Sequence, residues 1–176
     1  MKKFVKTDIF KAQGNVFDQI GNRWLLITVK DEKAGRYNAM TASWGCMGVL
    51  WNKPVCVLFV RPQRHTFGLI EEKEAFSVNI LEDGNRGAYG ICGSKSGRDT
   101  DKISESGLIP VGIEGENEDE VCGFEQSELV LSLRKLYADD LREDFFTDKS
   151  IPESVYKTRD FHRVYICEIT GAYIPG

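Results

Sequence analysis

Apolar and polar residues alternate with a period of two along several stretches of this chain, which predicts β-strands rather than helices. Residues 24–30 (Trp-Leu-Leu-Ile-Thr-Val-Lys) read as one strand. A polar turn over 31–36, containing Gly35, joins it to a partner strand at 37–43, giving a hairpin. Residues 55–60 (Val-Cys-Val-Leu-Phe-Val) are continuously apolar and rich in β-branched side chains, the mark of a buried strand. That strand runs on to Arg61, and Pro62 stops it by removing a ladder donor. Thr66 is placed to cap a short helix over 67–73, with Phe67, Leu69 and Ile70 facing inward. Residues 76–81 alternate cleanly and predict another strand.

The middle of the chain is less periodic. Five glycines between Gly84 and Gly97 predict that any helix there is short or broken. Residues 99–106 suit one or two helical turns, and 112–122, glycine-rich and acidic, reads as a solvated loop. Residues 128–137 return to strand, with Leu129, Leu131 and Leu133 opposite Val130, Ser132 and Arg134. An acidic, irregular stretch at 139–151 precedes a last strand at 164–169. Six or more strands with a few short helices predict a mainly β fold, a β-barrel or an α+β domain. No internal repeat or linker divides the chain, so residues 1–176 read as one domain. The βαβ alternation and Gly-x-Gly-x-x-Gly loop of a dinucleotide-binding fold are both missing from the sequence.

Composition narrows the function. The chain is 41% hydrophobic, enough for a core, and carries a net charge of −4, which argues against a general nucleic-acid binder. A small phosphorylated ligand remains compatible, since it needs only a local pair of cations. No apolar run approaches the roughly 20 residues that span a bilayer, and the N-terminal lysines precede no signal-like segment. Cys46, Cys56, Cys92, Cys122 and Cys167 are odd in number and form no Cys-x-x-Cys pair. That pattern fits reduced thiols in a cytoplasmic protein better than a zinc site or a disulfide framework.

Three clusters carry candidate chemistry. In the strand at 38–44, Thr41 and Ser43 share one face. Asn38, Met40, Ala42 and Trp44 share the other, a mixture of amide, thioether and indole that suits a flat polar aromatic ligand. An ordinary strand with an exposed polar face would also have this pattern. At 61–66, Arg61 and Arg64 flank a turn set by Pro62, and Thr66 opens a helix N-terminus that favours an anion. This reads either as a phosphate clamp or as two surface arginines. The loop at 92–102 contains Ser94, Ser96 and Lys102 among small residues that permit close backbone approach. It lacks the P-loop pattern. His65 lies inside the arginine cluster, while His162, at the start of the last strand, reads as structural. No triad, metal-binding motif or paired carboxylates stand out.

Taken together, Asn-Ala-Met-Thr-Ala-Ser-Trp-Gly at 38–45, Trp-Asn-Lys-Pro-Val at 51–55, Val-Arg-Pro-Gln-Arg-His-Thr at 60–66 and Gly-Ser-Lys-Ser-Gly-Arg-Asp-Thr-Asp-Lys at 93–102 resemble the flavin reductase-like family, and within it the flavoredoxin type. The resemblance runs from about Phe17 to Tyr173. It implies an FMN-binding split β-barrel, usually a homodimer with flavin near the subunit interface. It implies that Asn38, Met40, Thr41, Ala42, Ser43 and Trp44 line the flavin. Arg61, Arg64 and Thr66 then hold the phosphate and ribityl chain, with Ser94, Ser96 and Lys102 in a second loop. His65 departs from the pattern, where an aromatic residue is more usual, and the acidic loop at 112–122 has no counterpart in it. The implied activity is transfer of hydride from NADH or NADPH to flavin N5, with the chemistry carried by the flavin and no catalytic side chain required. The alternative is an FMN electron carrier reduced by a protein partner. A barrel that has lost flavin is a third reading, opposed by Ser43, Arg61 and Arg64.

Overall fold

The computed structural model describes residues 2–11, 14–117 and 120–176. In chain order the elements are strand β1 (Phe4–Thr7), a short helical turn α1 (Val16–Asp18), and strands β2 (Leu25–Asp31), β3 (Arg36–Ala42), β4 (Gly45–Leu50) and β5 (Lys53–Val60). Helix α2 (His65–Glu72), strand β6 (Ala75–Leu81) and helices α3 (Arg86–Ser94) and α4 (Lys102–Glu105) follow. The chain then forms β7 (Pro110–Gly112), β8 (Cys122–Phe124), β9 (Ser127–Asp140), helix α5 (Ser150–Val155) and β10 (Arg163–Pro175).

One antiparallel sheet runs in the order β3-β2-β6-β9-β10-β5-β4. Strand β10 is long enough to serve two partners on one edge. Its first half pairs with β5, from Arg163 opposite Val60 to Glu168 opposite Val55, and its last residues pair with β1. The sheet curls into a barrel because the period-two residues of its strands converge on one core. Leu25, Ile27 and Val29 of β2 meet Phe76, Val78 and Ile80 of β6, Leu129, Leu131 and Leu133 of β9, and Tyr165, Cys167 and Ile169 of β10. A second apolar layer lies outside the barrel, where Ala88, Tyr89 and Cys92 of α3 cover Leu26 and Ala39.

Several expectations need correction. The helix expected to be short or broken over 84–97 is the nine-residue α3, short but unbroken despite its glycines. The reason is packing: a Cβ on Gly93 would lie 3.3 Å from Cβ of Thr41, so glycine lets the helix approach β3 closely. Thr66 is not the cap of α2; the helix starts at His65, with Arg64 at the N-cap and no side-chain capping bond. In β6 the outward residues Ser77 and Asn79 are as buried as the inward ones. Both donate to the carbonyl of Cys122, at 2.7 and 3.0 Å, so β8 covers that face. Residues 112–122 form the expected loop, joining β7 to β8, which pair as a small hairpin; residues 118 and 119 lie outside the described residues, and the loop is not wholly solvated, since Ile113, Val121 and Cys122 are buried. Within them the Glu116 carboxylate accepts hydrogen bonds from Tyr173 and Ser132. Strand β4, over residues that carry no period-two signal, is an additional edge strand.

Candidate functional site

The backbone crossing from β3 to β4 builds one wall of a cleft. Pairing of β3 with β2 ends at Ala42, and pairing of β4 with β5 begins at Gly45, so Ser43 and Trp44 fall outside both ladders. The cleft has a volume of about 180 Å³. Met40, Thr41, Ala42, Ser43 and Trp44 line one side; Phe59, Arg61, Arg64 and His162 line the other. A second cleft of about 500 Å³ adjoins it and shares Met40 and Arg64. Its lining includes Thr66 and His65 at the start of α2, Ser94 at the end of α3, the 95–99 loop, and Lys102.

The two clefts differ in charge. In the first, Arg61 is neutralised: its Nη1 donates to Asp160 Oδ2 at 2.5 Å and its Nη2 to the Val155 carbonyl at 3.2 Å. Gln63 and Thr158 also donate to the Asp160 carboxylate. These hydrogen bonds, from Thr158 first and then Arg61, hold Asp160 well below the usual carboxylate range. His162 adds no charge, because burial first, then Arg61, pushes its pKa down to about 4, with Asp160 opposing and Arg64 reinforcing. Trp44, 48% exposed, packs its ring on His162 with centroids 5.1 Å apart. Apart from Arg64, which it shares with the second cleft, this first cleft is therefore aromatic and close to neutral.

The second cleft is cationic. Arg64, Arg98 and Lys102 have no carboxylate within ion-pair distance among the described residues, while Lys95 pairs with Glu105. Asp99 is the one carboxylate in its lining. Lys102 is only 4% exposed, and its ammonium donates to the Cys92 carbonyl at 3.3 Å. Burial lowers its pKa, and Arg64 adds to that, while the neighbouring Cys92 opposes. A buried ammonium with no counter-ion is costly, so its place in a cleft marks a site shaped for an anion. The uncapped N-terminus of α2, where His65 and Thr66 line the cleft, adds N–H groups of the same polarity.

Eleven of the twelve residues expected from the sequence line one cleft or the other; Asn38 lines neither. It is buried in β3, where its Nδ2 donates to Thr66 Oγ1 at 2.7 Å and so braces the start of α2. The expected ligand-facing face of β3 is mostly barrel interior, since Met40 and Ala42 belong to the central core. Thr41 lines the first cleft, but its hydroxyl donates to the Tyr89 carbonyl at 2.6 Å. The Ser94 hydroxyl likewise donates within α3, to the Gly90 carbonyl. Ser96 Oγ accepts from the Arg98 N–H at 3.2 Å and shapes the loop. Sequence reasoning missed His162 and Asp160. Both come from a segment about a hundred residues beyond Arg61, and no local pattern marks them.

A family profile described as "Flavin reductase like domain" matches residues 17–121. No curated protein sequence matches the chain. Among solved structures, an FMN-binding domain of a flavin reductases-like enzyme from Shewanella baltica OS155 is 14% identical, with a TM-score of 0.69 over 99% of this chain and 78% of that one. Flavoredoxin from Methanosarcina acetivorans is 22% identical, with a TM-score of 0.65 over 96% and 76%. An NADH:FAD oxidoreductase from Streptomyces globisporus C-1027 is 15% identical, with a TM-score of 0.62 over 85% and 73%. At these identities the structures establish the shared barrel fold, and the profile, matching more than half of the residues, establishes the family. The chain belongs to the flavin reductase like domain family, a family of flavin-linked oxidoreductases.

Proposed function

We propose that this chain is a single FMN-binding domain that passes reducing equivalents from NADH or NADPH to flavin. The observation that carries the reading is the junction of a near-neutral aromatic cleft with a cationic one at Met40 and Arg64. FMN has the matching shape, a planar ring joined by a short polyol to a phosphate. In this reading Trp44, Met40, Ala42 and the unpaired backbone at Ser43 hold the ring. Arg64, Lys102, Thr66 and the α2 N-terminus take the phosphate, while Ser94 and Ser96 shape the second loop. Backbone N–H groups of the 41–44 segment are candidates to stabilise negative charge near N1 of a reduced ring. Bound FMN supplies N5 as the hydride acceptor for a reduced nicotinamide stacked against it.

The same geometry serves an electron carrier, because Trp44 is open to a protein partner as well as to a nicotinamide. Pairing of two copies is supported by strand β4, an edge of the sheet, where Val49, Leu50 and the adjoining turn residue Trp51 are exposed. The five free cysteines, four of them buried, fit the reducing cytoplasm.

Anaerobic titration of the FMN-loaded protein with NADH and with NADPH, followed by flavin absorbance, tests the function. Bleaching by either nucleotide supports the reductase and gives its donor. Flavin that binds but stays oxidised until a protein donor is added supports the carrier. No flavin binding overturns both.

A further inference from the structure

We propose that Tyr156 fixes His162 as the neutral imidazole tautomer with its proton on Nε2, so that His162 presents a hydrogen-bond donor to the aromatic cleft. His162 then recognises an acceptor, a carbonyl or an unprotonated ring nitrogen, on the planar ring held there, and Tyr156 is its positioning residue. The identity of that ring rests on the flavin reading; the tautomer does not.

The Tyr156 hydroxyl lies 2.7 Å from Nδ1 of His162. A phenol is a stronger acid than a neutral imidazole N–H, and an imidazole nitrogen is a better acceptor than a phenol oxygen. The short contact is therefore O–H···N, with Nδ1 accepting. In the neutral ring, that places the remaining proton on Nε2. Burial raises the Tyr156 pKa and keeps the phenol proton in place. The phenol is itself held: its ring stacks on Phe161 at 4.7 Å, and the Arg61 guanidinium lies 5.4 Å from its centroid.

Nε2 of His162 has no protein partner among the described residues. His162 is 7% exposed and lines the aromatic cleft, the side on which the proposal places Nε2. The charged groups acting on the ring are Arg61, Asp160 and Arg64. Asp160 is already engaged by Arg61, so among the described residues no free carboxylate is at hand to hold an imidazolium. The donor is therefore neutral, and it does not repel a nicotinamide that becomes cationic on oxidation.

The chain has two histidines, so long-range proton–nitrogen NMR spectra resolve each ring. Native His162 is expected to show the neutral Nε2–H pattern from about pH 6 to 8, and Tyr156→Phe a mixture of tautomers with a melting temperature lowered by only about 2–4 °C. A native Nδ1–H tautomer, a charged ring at neutral pH, or a tautomer indifferent to Tyr156→Phe overturns the proposal. A second pair of variants does not depend on Tyr156. His162→Gln keeps an N–H near the Nε2 position, whereas His162→Asn keeps one near Nδ1. FMN affinity is expected to stay within about threefold in the first and to fall about tenfold in the second. Equal losses overturn the donor role. If native protein binds no FMN, the flavin reading falls, and the NMR result still decides the tautomer.

Discussion

Arg61 and Asp160, 99 residues apart, close a 2.5 Å ion pair at the edge of the aromatic cleft. The pair fixes the segment that carries Tyr156 and His162 beside the cleft, and it removes Arg61 from the set of cations free to hold a phosphate. In the function proposed above, anion recognition therefore falls to Arg64 and the buried Lys102, whose charge has no carboxylate partner among the described residues.

That shift is measurable by calorimetry with FMN and riboflavin, which differ by the phosphate. Lys102→Met is expected to weaken FMN binding by about 2–5 kcal/mol while leaving riboflavin little changed. Arg61→Ala is expected to weaken both ligands similarly, because it releases the wall of the aromatic cleft. Selective loss of FMN in Arg61→Ala, with Lys102→Met silent, would assign the clamp to Arg61 instead.

His162 gives stability a pH dependence of definite sign. Its folded pKa is about 4, against 6.5 for an unperturbed imidazole, so between those values the unfolded chain binds the extra proton. Folding stability therefore falls as pH drops from about 6.5 to about 4. Allowing for solvent at the cleft mouth, the contribution is on the order of 1–2 kcal/mol. Denaturant melts across this range should show a smaller acid loss in His162→Gln, and parallel curves would contradict the assignment.

Gly97 is held against two site residues. A Cβ there would lie 2.1 Å from Asn38 Oδ1 and 2.9 Å from the His65 ring. Gly97→Ala must displace the loop or the amide that braces Thr66, at about 1–3 kcal/mol. FMN affinity should drop along with thermal stability; an unaffected affinity would show that the loop does not contribute to the phosphate site.

Cys46 is the one exposed cysteine, and Cys56, Cys92, Cys122 and Cys167 are buried. A thiol reagent should modify one residue in the folded protein and five after denaturation. Burial holds the pKa of Cys122 and of Cys167 at about 12, which slows their reaction further. Cys46→Ser should leave flavin reduction intact, since the chemistry belongs to the cofactor; abolished turnover with flavin retained would make Cys46 catalytic.

Much of the barrel was readable because its strands keep a period of two that the core then uses. Leu129, Leu131 and Leu133 face inward as the alternation of β9 requires. The hairpin of β2 and β3 lies within a residue of its expected bounds. Local pattern failed where burial came from elsewhere in the chain. Ser77 and Asn79 look like surface residues, yet β8 covers them. The glycines of α3 look like helix breakers, yet one of them, Gly93, is what lets α3 lie against Thr41.

The sequence by itself determined the strand periodicity, the cluster of small and aromatic residues at 38–44, and the presence of enough cations for an anion site. These are local properties, written in side-chain spacing and type. Only the tertiary structure decided which cations remain free, because Arg61 meets its counter-ion from a distant segment. It also brought His162 to the cleft, spent the hydroxyl of Thr41 on Tyr89, and left Lys102 buried without a carboxylate partner among the described residues. Pairing and desolvation depend on what the rest of the chain places within a few ångströms, and spacing along one segment does not encode that.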